Sequence, residues 1–380
     1  MIEKAFVGIL PKQVRIAILG SRGIPAQYGG FETIAQELSV GLAERGFKVY
    51  VSCESRKILP ESSKEYNGVR LLYFPIIRSI RSLSEPFIYD LLSVLRTTLS
   101  VDVVYMLGHS SVLTLLISKM LKKTVIVNVD GIESKRTKYN KFLSFIMYSF
   151  EKITPKIATY ILADSEVIAL YYRKNYNVSP IFVPNGGGRI REYRPYEPEA
   201  LSVFNLKKGG YYLVIARLEA DNNIKLIVEA FKKSNSKLKL VVVGPLINTL
   251  YVKELLRLKN DRILFVGGVY EPRLQRTLRF NCFAYIHGHE MGGTNPSLVE
   301  ALSSGNTILA MDVPFNRAVA GDSATYFKKD ICDLSEKLSS IEGNSSQSIP
   351  NSLAREIFDR KYSGDKAINA FATFLGQITS

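Results

Sequence analysis

HGHEMGGTNPSLVEAL, residues 287–302, is the stretch that decides the fold of this chain. The apolar run before it, residues 282–286, indicates a buried parallel strand, and an amphipathic helix is expected to begin near Pro296 or Ser297. A helix N-terminus after a glycine-rich turn presents backbone N–H groups and the positive end of a dipole, which suits a phosphate or diphosphate. Glu300 then lies one turn into the helix, where it can accept hydrogen bonds from sugar or ribose hydroxyls. The alternative is a simple tight turn with Glu300 solvated.

The same pattern opens the chain. An apolar run at residues 14–19 is followed by the glycine-rich loop GSRGIPAQYGG, residues 20–30, and then by helical spacing over residues 31–45. Strand, glycine loop and helix begin a nucleotide-binding α/β unit. The loop lacks the G-x-G-x-x-G spacing, so it is not a dinucleotide fingerprint.

Strand and helix patterns alternate along most of the chain, which predicts parallel sheets with helices on both faces. The clearest break is the segment 184–198, PNGGGRIREYRPYEP, whose glycines and prolines indicate a linker. The predicted fold is α/β, with two doubly wound Rossmann-like domains facing a cleft. We place the domains at residues 1–190 and 191–360, with a helical tail at 361–380 that packs back on the first domain. Ligands are expected at the carboxyl ends of the strands.

The chain carries 50 Lys and Arg residues against 35 Asp and Glu residues, a net charge of +15. The excess is +11 in residues 1–191 and +4 in residues 192–380. This favours an anionic partner, and because there is no long basic run we rank a membrane surface or lipid phosphate above nucleic acid. A basic surface without a partner is the alternative.

Three widely spaced cysteines favour a reducing compartment over a disulfide or metal framework. No signal peptide and no run of about 20 apolar residues is apparent. We therefore expect a cytoplasmic protein, peripheral at the inner face of the plasma membrane. Residues 138–163, which mix basic and aromatic side chains, indicate either an amphipathic membrane-facing helix or an ordinary helix with a core stripe.

Four blocks in order along the chain resemble the GT-B glycosyltransferases of glycosyltransferase family 4, and more narrowly bacterial rhamnosyltransferases of polysaccharide biosynthesis. They are GSRGIPAQYGGFET (20–33), VNVDGIE (127–133), ARLEADNNI (216–224) and GGTNPSLVEA (292–301). The resemblance implies that the second domain holds a nucleotide sugar. It implies that Arg217 offsets diphosphate charge, that Gly293, Thr294 and Asn295 contact phosphates or sugar, and that Glu300 binds the ribose. For Arg217 the alternative is a surface ion pair with Glu219 or Asp221.

Two positions depart from the wider family. Asn222 stands where a lysine is common, and Gly292 stands where the first of two glutamates is common. The rhamnosyltransferase-like subgroup shares both departures. His289 or Glu290 is a candidate for the role of the missing glutamate.

In the first domain, Gly29 and Gly30 are expected to let the backbone approach the donor phosphate as the cleft closes. Asp130 lies where the wider family often has a catalytic-site histidine, so it is a candidate for orienting or deprotonating the acceptor hydroxyl; an Asp-Gly turn is the alternative. Asp130, Arg217 and Glu300 are the candidate catalytic residues. Further candidate contacts to donor or acceptor are Arg22, His109, Glu133, Arg136 and Lys138, although His109 is also typical of a structural histidine.

The sequence thus predicts transfer of a sugar, most readily L-rhamnose from dTDP-rhamnose, onto a lipid-diphosphate-linked saccharide in bacterial cell-surface polysaccharide assembly, such as capsule or O-antigen. No metal and no cofactor other than the donor is expected, because the sequence has no Asp-x-Asp and no His/Cys cluster. Two other classes stay open: a nucleotide-sugar 2-epimerase of the same fold, and a non-catalytic nucleotide-sugar-binding protein.

Overall fold

The computed structural model describes residues 13–26, 30–55, 64–75, 84–129, 131–132, 134, 140–184, 198–344 and 351–379. These residues form two α/β domains, each built on one twisted sheet. The predicted boundary near residue 190 lies outside the described residues.

The first sheet has eight strands in the order β3-β4-β2-β1-β5-β6-β7-β8. All pairs are parallel except β3 with β4. The strands are β1 (Arg15–Leu19), β2 (Lys48–Ser55), β3 (Glu65–Tyr66), β4 (Val69–Pro75), β5 (Val103–Leu107), β6 (Thr124–Val129), β7 (Tyr160–Ala163) and β8 (Ile181–Phe182). Its helices are α1 (Gly30–Glu44), α2 (Ser84–Thr97), α3 (Leu116–Met120), α4 (Lys141–Ile157) and α5 (Glu166–Tyr176).

The second sheet has six parallel strands in the order β11-β10-β9-β12-β13-β14. They are β9 (Tyr211–Ile215), β10 (Lys239–Val243), β11 (Ile263–Gly267), β12 (Ala284–His287), β13 (Ile308–Met311) and β14 (Ala324–Phe327). The helices that follow are α6 (Ile224–Lys233), α7 (Leu250–Arg257), α8 (Pro272–Asn281), α9 (Pro296–Ser303), α10 (Pro314–Ala320), α11 (Ile331–Asn344), α12 (Ser352–Ile357) and α13 (Gly364–Thr379).

Central strands such as β5, with five consecutive buried residues, read as unbroken apolar runs because both faces of each sheet are covered. Each sheet accordingly carries two hydrophobic clusters, one per face. The two-domain parallel architecture predicted from the alternation of patterns is confirmed. Within the described residues, no helix has both the length and the apolar content that a membrane span requires.

The end of the chain returns to the first domain. Helix α13 packs on α1, and Phe371, Phe374 and Leu375 join the cluster that contains Ile16 and Leu42. The contact is close, since a Cβ atom at Gly41 of α1 would lie 2.5 Å from Ile368 Cδ1. The last helix is therefore part of the first-domain core.

Each sheet has one point where the strand order reverses, between β1 and β5 in the first and between β9 and β12 in the second. Ligands of open α/β sheets bind at such points, beyond the carboxyl ends of the strands. The loops after β1, β5, β9 and β12 all line one cleft between the domains.

Candidate active site

The cleft has a volume of about 850 Å³ and is lined by residues of both domains. That volume lies within the range of small-molecule and cofactor sites. Gly20 and Gly108 follow β1 and β5 on one wall, and Ala216 and Gly288 follow β9 and β12 on the other. Both glycine-rich turns singled out in the sequence therefore contribute to a single site.

Two helix N-termini meet across this cleft. Helix α1 begins at Gly30 and α9 begins at Pro296, and a Cβ atom at Gly30 would lie 3.6 Å from Pro296 Cγ. The Thr294 hydroxyl, in the turn before α9, donates a hydrogen bond to the Asp164 carbonyl of the first domain. Backbone N–H groups at such ends, together with the helix dipole, attract anions.

The turn before α9 places the predicted donor contacts Gly293, Thr294 and Asn295 on the cleft wall. Asn295 is the N-cap of α9, and its side-chain oxygen accepts from the Ser297 N–H at 3.0 Å. The Asn295 side-chain oxygen is thus used by the helix, and a contact with a ligand would be made through its Nδ2 or its backbone.

Glu300 lines the cleft and forms an ion pair with Arg279 of α8. Arg279 is buried, its guanidinium donates to Gln275 Oε1 at 3.4 Å, and its Nε has no hydrogen-bond partner. A buried arginine needs a carboxylate beside it, because an unpaired charge in the interior is costly. Glu300 therefore has a structural role in addition to its predicted contact with ribose. Sequence reasoning missed Arg279, which lies in an otherwise polar helix.

Arg217 follows β9 and lines the cleft, and its guanidinium lies 3.3 Å from the Glu219 carboxylate. Both side chains are about two-fifths exposed. An ion pair of this exposure contributes little to stability. The arginine is accordingly free of a strong structural constraint, and its predicted contact with a diphosphate stays a prediction.

The end of β12 and the turn after it place two imidazoles, His287 and His289, on the cleft wall. His287 is buried and its Nε2 has no hydrogen-bond partner, and burial together with the neighbouring His289 lowers its pKa well below the ordinary value. His289 Nδ1 lies 2.6 Å from Asn222 Oδ1. Glu290 does not line the cleft; its carboxylate pairs with Lys329 at 2.6 Å and accepts from Asn223. Of the two candidates for the role of the missing glutamate, only His289 faces the site.

The first-domain wall is rich in carboxylates. Glu32 is buried and accepts from the Arg22 N–H at 3.1 Å. Asp90 of α2 is buried beside Glu54; burial is the main cause that raises its pKa, to about 6, Glu54 adds to the rise, and a hydrogen bond from Ser111 opposes it. All of these residues line the cleft. Asp90 and Glu54 were not predicted, because neither stands in a recognisable motif.

His109, after β5, is fully buried in the same wall, and neither ring nitrogen makes a hydrogen bond. Its Nε2 lies 3.9 Å from Glu151 of α4. Glu151 is buried and accepts from the Tyr176 hydroxyl at 2.9 Å and the Ser134 N–H at 2.9 Å. This network ties the cleft to the packing of α4 and α5.

Five predicted site residues lie outside the described residues: Gly29, Asp130, Glu133, Arg136 and Lys138. Their roles stay predictions. In the part of the chain that the structure describes, no group of three or more histidine, cysteine, aspartate or glutamate side chains is placed to hold a metal ion.

Two family profiles divide the chain between them. Residues 13–186 match a family described as a domain of unknown function, DUF1972, and residues 199–355 match glycosyl transferases group 1. Residues 199–355, in the second domain, are thus similar to glycosyl transferases group 1. The α9 turn, Arg217 and Glu300 all belong to this matched region. Among curated protein sequences, none matches the chain.

Solved structures share the whole architecture at low sequence identity. Sucrose-phosphate synthase from Thermosynechococcus elongatus superposes with a TM-score of 0.79 at 14% identity, covering 96% of this chain and 99% of its own. Anabaena HepE in complex with UDP and glucose gives 0.75 at 14% identity, covering 96% and 100%. An E. coli trehalose-6-phosphate protein bound with UDP-2-fluoro glucose gives 0.71 at 10% identity, covering 96% and 99%. The two domains of this glycosyltransferase therefore adopt the GT-B fold.

Proposed function

We propose that this protein transfers L-rhamnose from dTDP-rhamnose to a lipid-diphosphate-linked saccharide, as a family 4 glycosyltransferase of bacterial cell-surface polysaccharide assembly. The observation that carries sugar transfer is the opposed chemistry of the two cleft walls. The second-domain wall has an excess of cations, with Arg217, Arg276 and Arg279 against Glu300. The first-domain wall has an excess of carboxylates, with Glu32, Glu37, Glu54 and Asp90 against Arg22.

A cationic wall suits the donor. As the bond from sugar to diphosphate breaks, negative charge develops on the leaving group, and fixed cations and N–H donors stabilise it. Arg217 and the α9 N-terminus are therefore assigned to the diphosphate. HepE and the E. coli protein have structures with UDP or a UDP-sugar, which supports a nucleotide sugar as the donor.

A carboxylate wall suits the acceptor. Asp and Glu oxygens accept hydrogen bonds from hydroxyl groups, and a carboxylate within reach can take the proton of the attacking hydroxyl. Asp130, at the end of β6 by sequence, is our candidate for that step. The choice of rhamnose rests on the four sequence blocks, including the shared departures at Asn222 and Gly292.

The lipid-linked acceptor is supported by an apolar-basic patch on the first domain. It consists of the exposed apolar side chains Leu116, Met120, Leu121, Phe142, Phe145 and Tyr148 with the exposed lysines Lys119, Lys122, Lys141 and Lys152. Phe142 and Phe145, near the beginning of α4, are 70% and 66% exposed. Near the other end of α4 the Lys119 amine donates to the Lys156 carbonyl, which joins α3 to α4. Apolar side chains rimmed by lysines bind anionic membranes. We assign this patch to the inner face of the plasma membrane.

Sedimentation with vesicles tests the membrane assignment. The protein should pellet with phosphatidylglycerol-containing vesicles at low salt and less at high salt, because salt screens exposed charges. Phe142→Ser with Phe145→Ser should weaken binding about tenfold or more, since each phenylalanine contributes on the order of 1.5–3 kcal/mol when fully buried. The matched control is Leu250→Ser, an even more exposed apolar residue of the second domain. Equal binding by the double variant and the control would refute the patch.

A labelled-donor assay tests the transfer. The protein is incubated with dTDP-rhamnose or UDP-glucose, with and without bacterial membrane lipid extract. Label should move to lipid only with extract, and more from dTDP-rhamnose. Donor conversion without extract would indicate an epimerase, and binding without turnover a non-catalytic protein. Arg217→Gln should lower kcat/KM about 10²–10³-fold, whereas Arg257→Gln, an exposed arginine of α7, should not. Asp130→Asn should lower the rate about 10²–10⁴-fold with little change in donor affinity.

A further inference from the structure

Asn222 links the loop after β9 to His289 in the turn after β12. It is buried, its side-chain Nδ2 donates to the Arg217 carbonyl at 2.7 Å, and its Oδ1 lies 2.6 Å from His289 Nδ1. A Cβ atom at Gly288 would meet the Asn222 carbonyl oxygen, so the two loops are in backbone contact. The Asn316 side chain donates to the His289 carbonyl at 2.9 Å, which holds the histidine from its other side.

These contacts determine which nitrogen of His289 carries a proton. A backbone carbonyl can only accept, so the Asn222 atom beside the Arg217 carbonyl must be the amide nitrogen. The other Asn222 atom is then the oxygen, which can only accept, so His289 Nδ1 must donate to it. In the neutral ring the proton is on Nδ1, and Nε2 is a hydrogen-bond acceptor.

Gly292 leaves room for this ring edge. Its φ is +150°, and a Cβ atom there would lie 2.7 Å from His289 Nε2. Any side chain at residue 292 would therefore displace the imidazole. In this chain the ring of His289 occupies the space that a larger residue at position 292 would need.

A second imidazole adds a polar group to the same place. The His287 ring centroid lies 5.9 Å from that of His289, and its buried Nε2 has no hydrogen-bond partner. A buried polar nitrogen without a partner is costly unless a ligand completes it. Both rings line the cleft on the donor side. A hydroxyl group suits such a pair, because it donates to one nitrogen while its oxygen accepts from another group.

We propose that His287 and His289 form a subsite for a hydroxyl group of the donor sugar, and that Asn222 is the positioning residue that keeps His289 Nε2 as the acceptor. This inference rests on the proposed function, because the hydroxyl belongs to the sugar of a nucleotide-sugar donor. It predicts that the subsite distinguishes the sugar nucleotide from the bare nucleotide.

Nuclear magnetic resonance measures the protonation state of the His289 ring directly. The chain has only three histidines, so a protein labelled with ¹⁵N in histidine gives three imidazole patterns, which His109→Phe, His287→Phe and His289→Phe assign. At pH 8 we expect His289 to carry its proton on Nδ1. In Asn222→Leu the proton should move toward Nε2, the form that free histidine prefers. A control, Asn175→Leu, removes an exposed asparagine that donates to the Tyr171 carbonyl of the first domain and should change nothing. Nε2 protonation of His289 in the unmodified protein would overturn the positioning role.

Isothermal titration calorimetry measures ligand affinity. It compares dTDP with dTDP-rhamnose and UDP with UDP-glucose. His289→Phe should weaken the productive sugar nucleotide about 3–10-fold, as expected for one neutral hydrogen bond, and leave the bare nucleotide unchanged. Asn222→Leu should weaken the sugar nucleotide as well, and because it also removes the hydrogen bond to the Arg217 carbonyl it should weaken the bare nucleotide too. His289→Phe keeps a ring of similar size, so it serves if Asn222→Leu does not fold. Equal loss for both ligands in His289→Phe would overturn the subsite and leave the proposed function standing. Binding of neither nucleotide nor sugar nucleotide by the unmodified protein would overturn both.

Discussion

Asp90→Asn should stabilise the protein at alkaline pH and not at acidic pH. Asp90 is buried in the first-domain wall, faces the Glu54 carboxylate from β2, and receives a hydrogen bond from Ser111. Burial and Glu54 raise its pKa from 3.8 to about 6. The folded protein therefore binds this proton more tightly than the unfolded chain, and the stabilisation is complete below about pH 4 and lost as pH rises through 6.

The size of the change in stability follows from the shift in the Asp90 pKa. A pKa raised from 3.8 to about 6 corresponds to roughly 3 kcal/mol of stability lost at pH 8 relative to pH 4. Asparagine is uncharged at both pH 4 and pH 8, so the Asp90→Asn variant does not lose this stability. For a domain of this size, 1 kcal/mol shifts Tm by about 2–4 °C, and we expect the variant to melt about 6–12 °C above the unmodified protein at pH 8.

Calorimetric melting at pH 4, 6 and 8 measures this difference, with Asp261→Asn as the control at an exposed carboxylate of the second domain. Only the difference between variant and unmodified protein is informative, because both change with pH. A difference that stays constant from pH 4 to pH 8 would refute the reasoning, since Asp90 would then titrate alike in folded and unfolded states. A carboxylate that lowers stability while lining a cleft is typical of a residue that serves ligand binding.

Two substitutions elsewhere test the site and the packing. Glu300→Gln should weaken dTDP binding about tenfold and also cost about 1–3 kcal/mol of unfolding free energy, because Arg279 stays buried without a full charge beside it. Isothermal titration with urea unfolding separates the two effects, and unchanged stability would contradict the structural role. Gly41→Ala should destabilise by about 1–3 kcal/mol because the methyl group meets Ile368. Thermal unfolding measures this, and Ile368→Ala in the same chain should restore part of the loss; no recovery would place the strain elsewhere.

The fold was predictable because the signal is local. The apolar run predicted at residues 14–19 forms β1, Arg15–Leu19, since buried parallel strands require continuous apolar residues. The bounds of the run predicted at residues 282–286 were less accurate, because Cys282 and Phe283 precede β12, which ends at His287. The two-residue strand β3 was missed because it is too short to produce a pattern.

The site was only partly predictable, because several of its residues owe their roles to contacts between distant parts of the chain. Glycine turns and Glu300 stand in motifs, so the sequence places them on the cleft wall. The ion pair of Arg279 and the raised pKa of Asp90 both result from burial, which depends on packing between distant elements. Asn222 appeared in the sequence as a departure from a pattern, and its contact with His289 joins residues 67 positions apart. No local signal could have indicated that pairing.

The return of α13 to the first domain means that this domain cannot be completed in the order in which the chain is made. Its core includes Phe371, Phe374 and Leu375, which leave the ribosome after the whole second domain. Synthesis at roughly 5–20 residues per second leaves an interval of about 10–40 s between the last first-domain strand and α13. During that interval the face of α1 that α13 covers is open to solvent and to chaperones. The first domain consequently cannot finish folding until the second domain has been synthesised. A fragment ending at the linker would retain an exposed apolar groove.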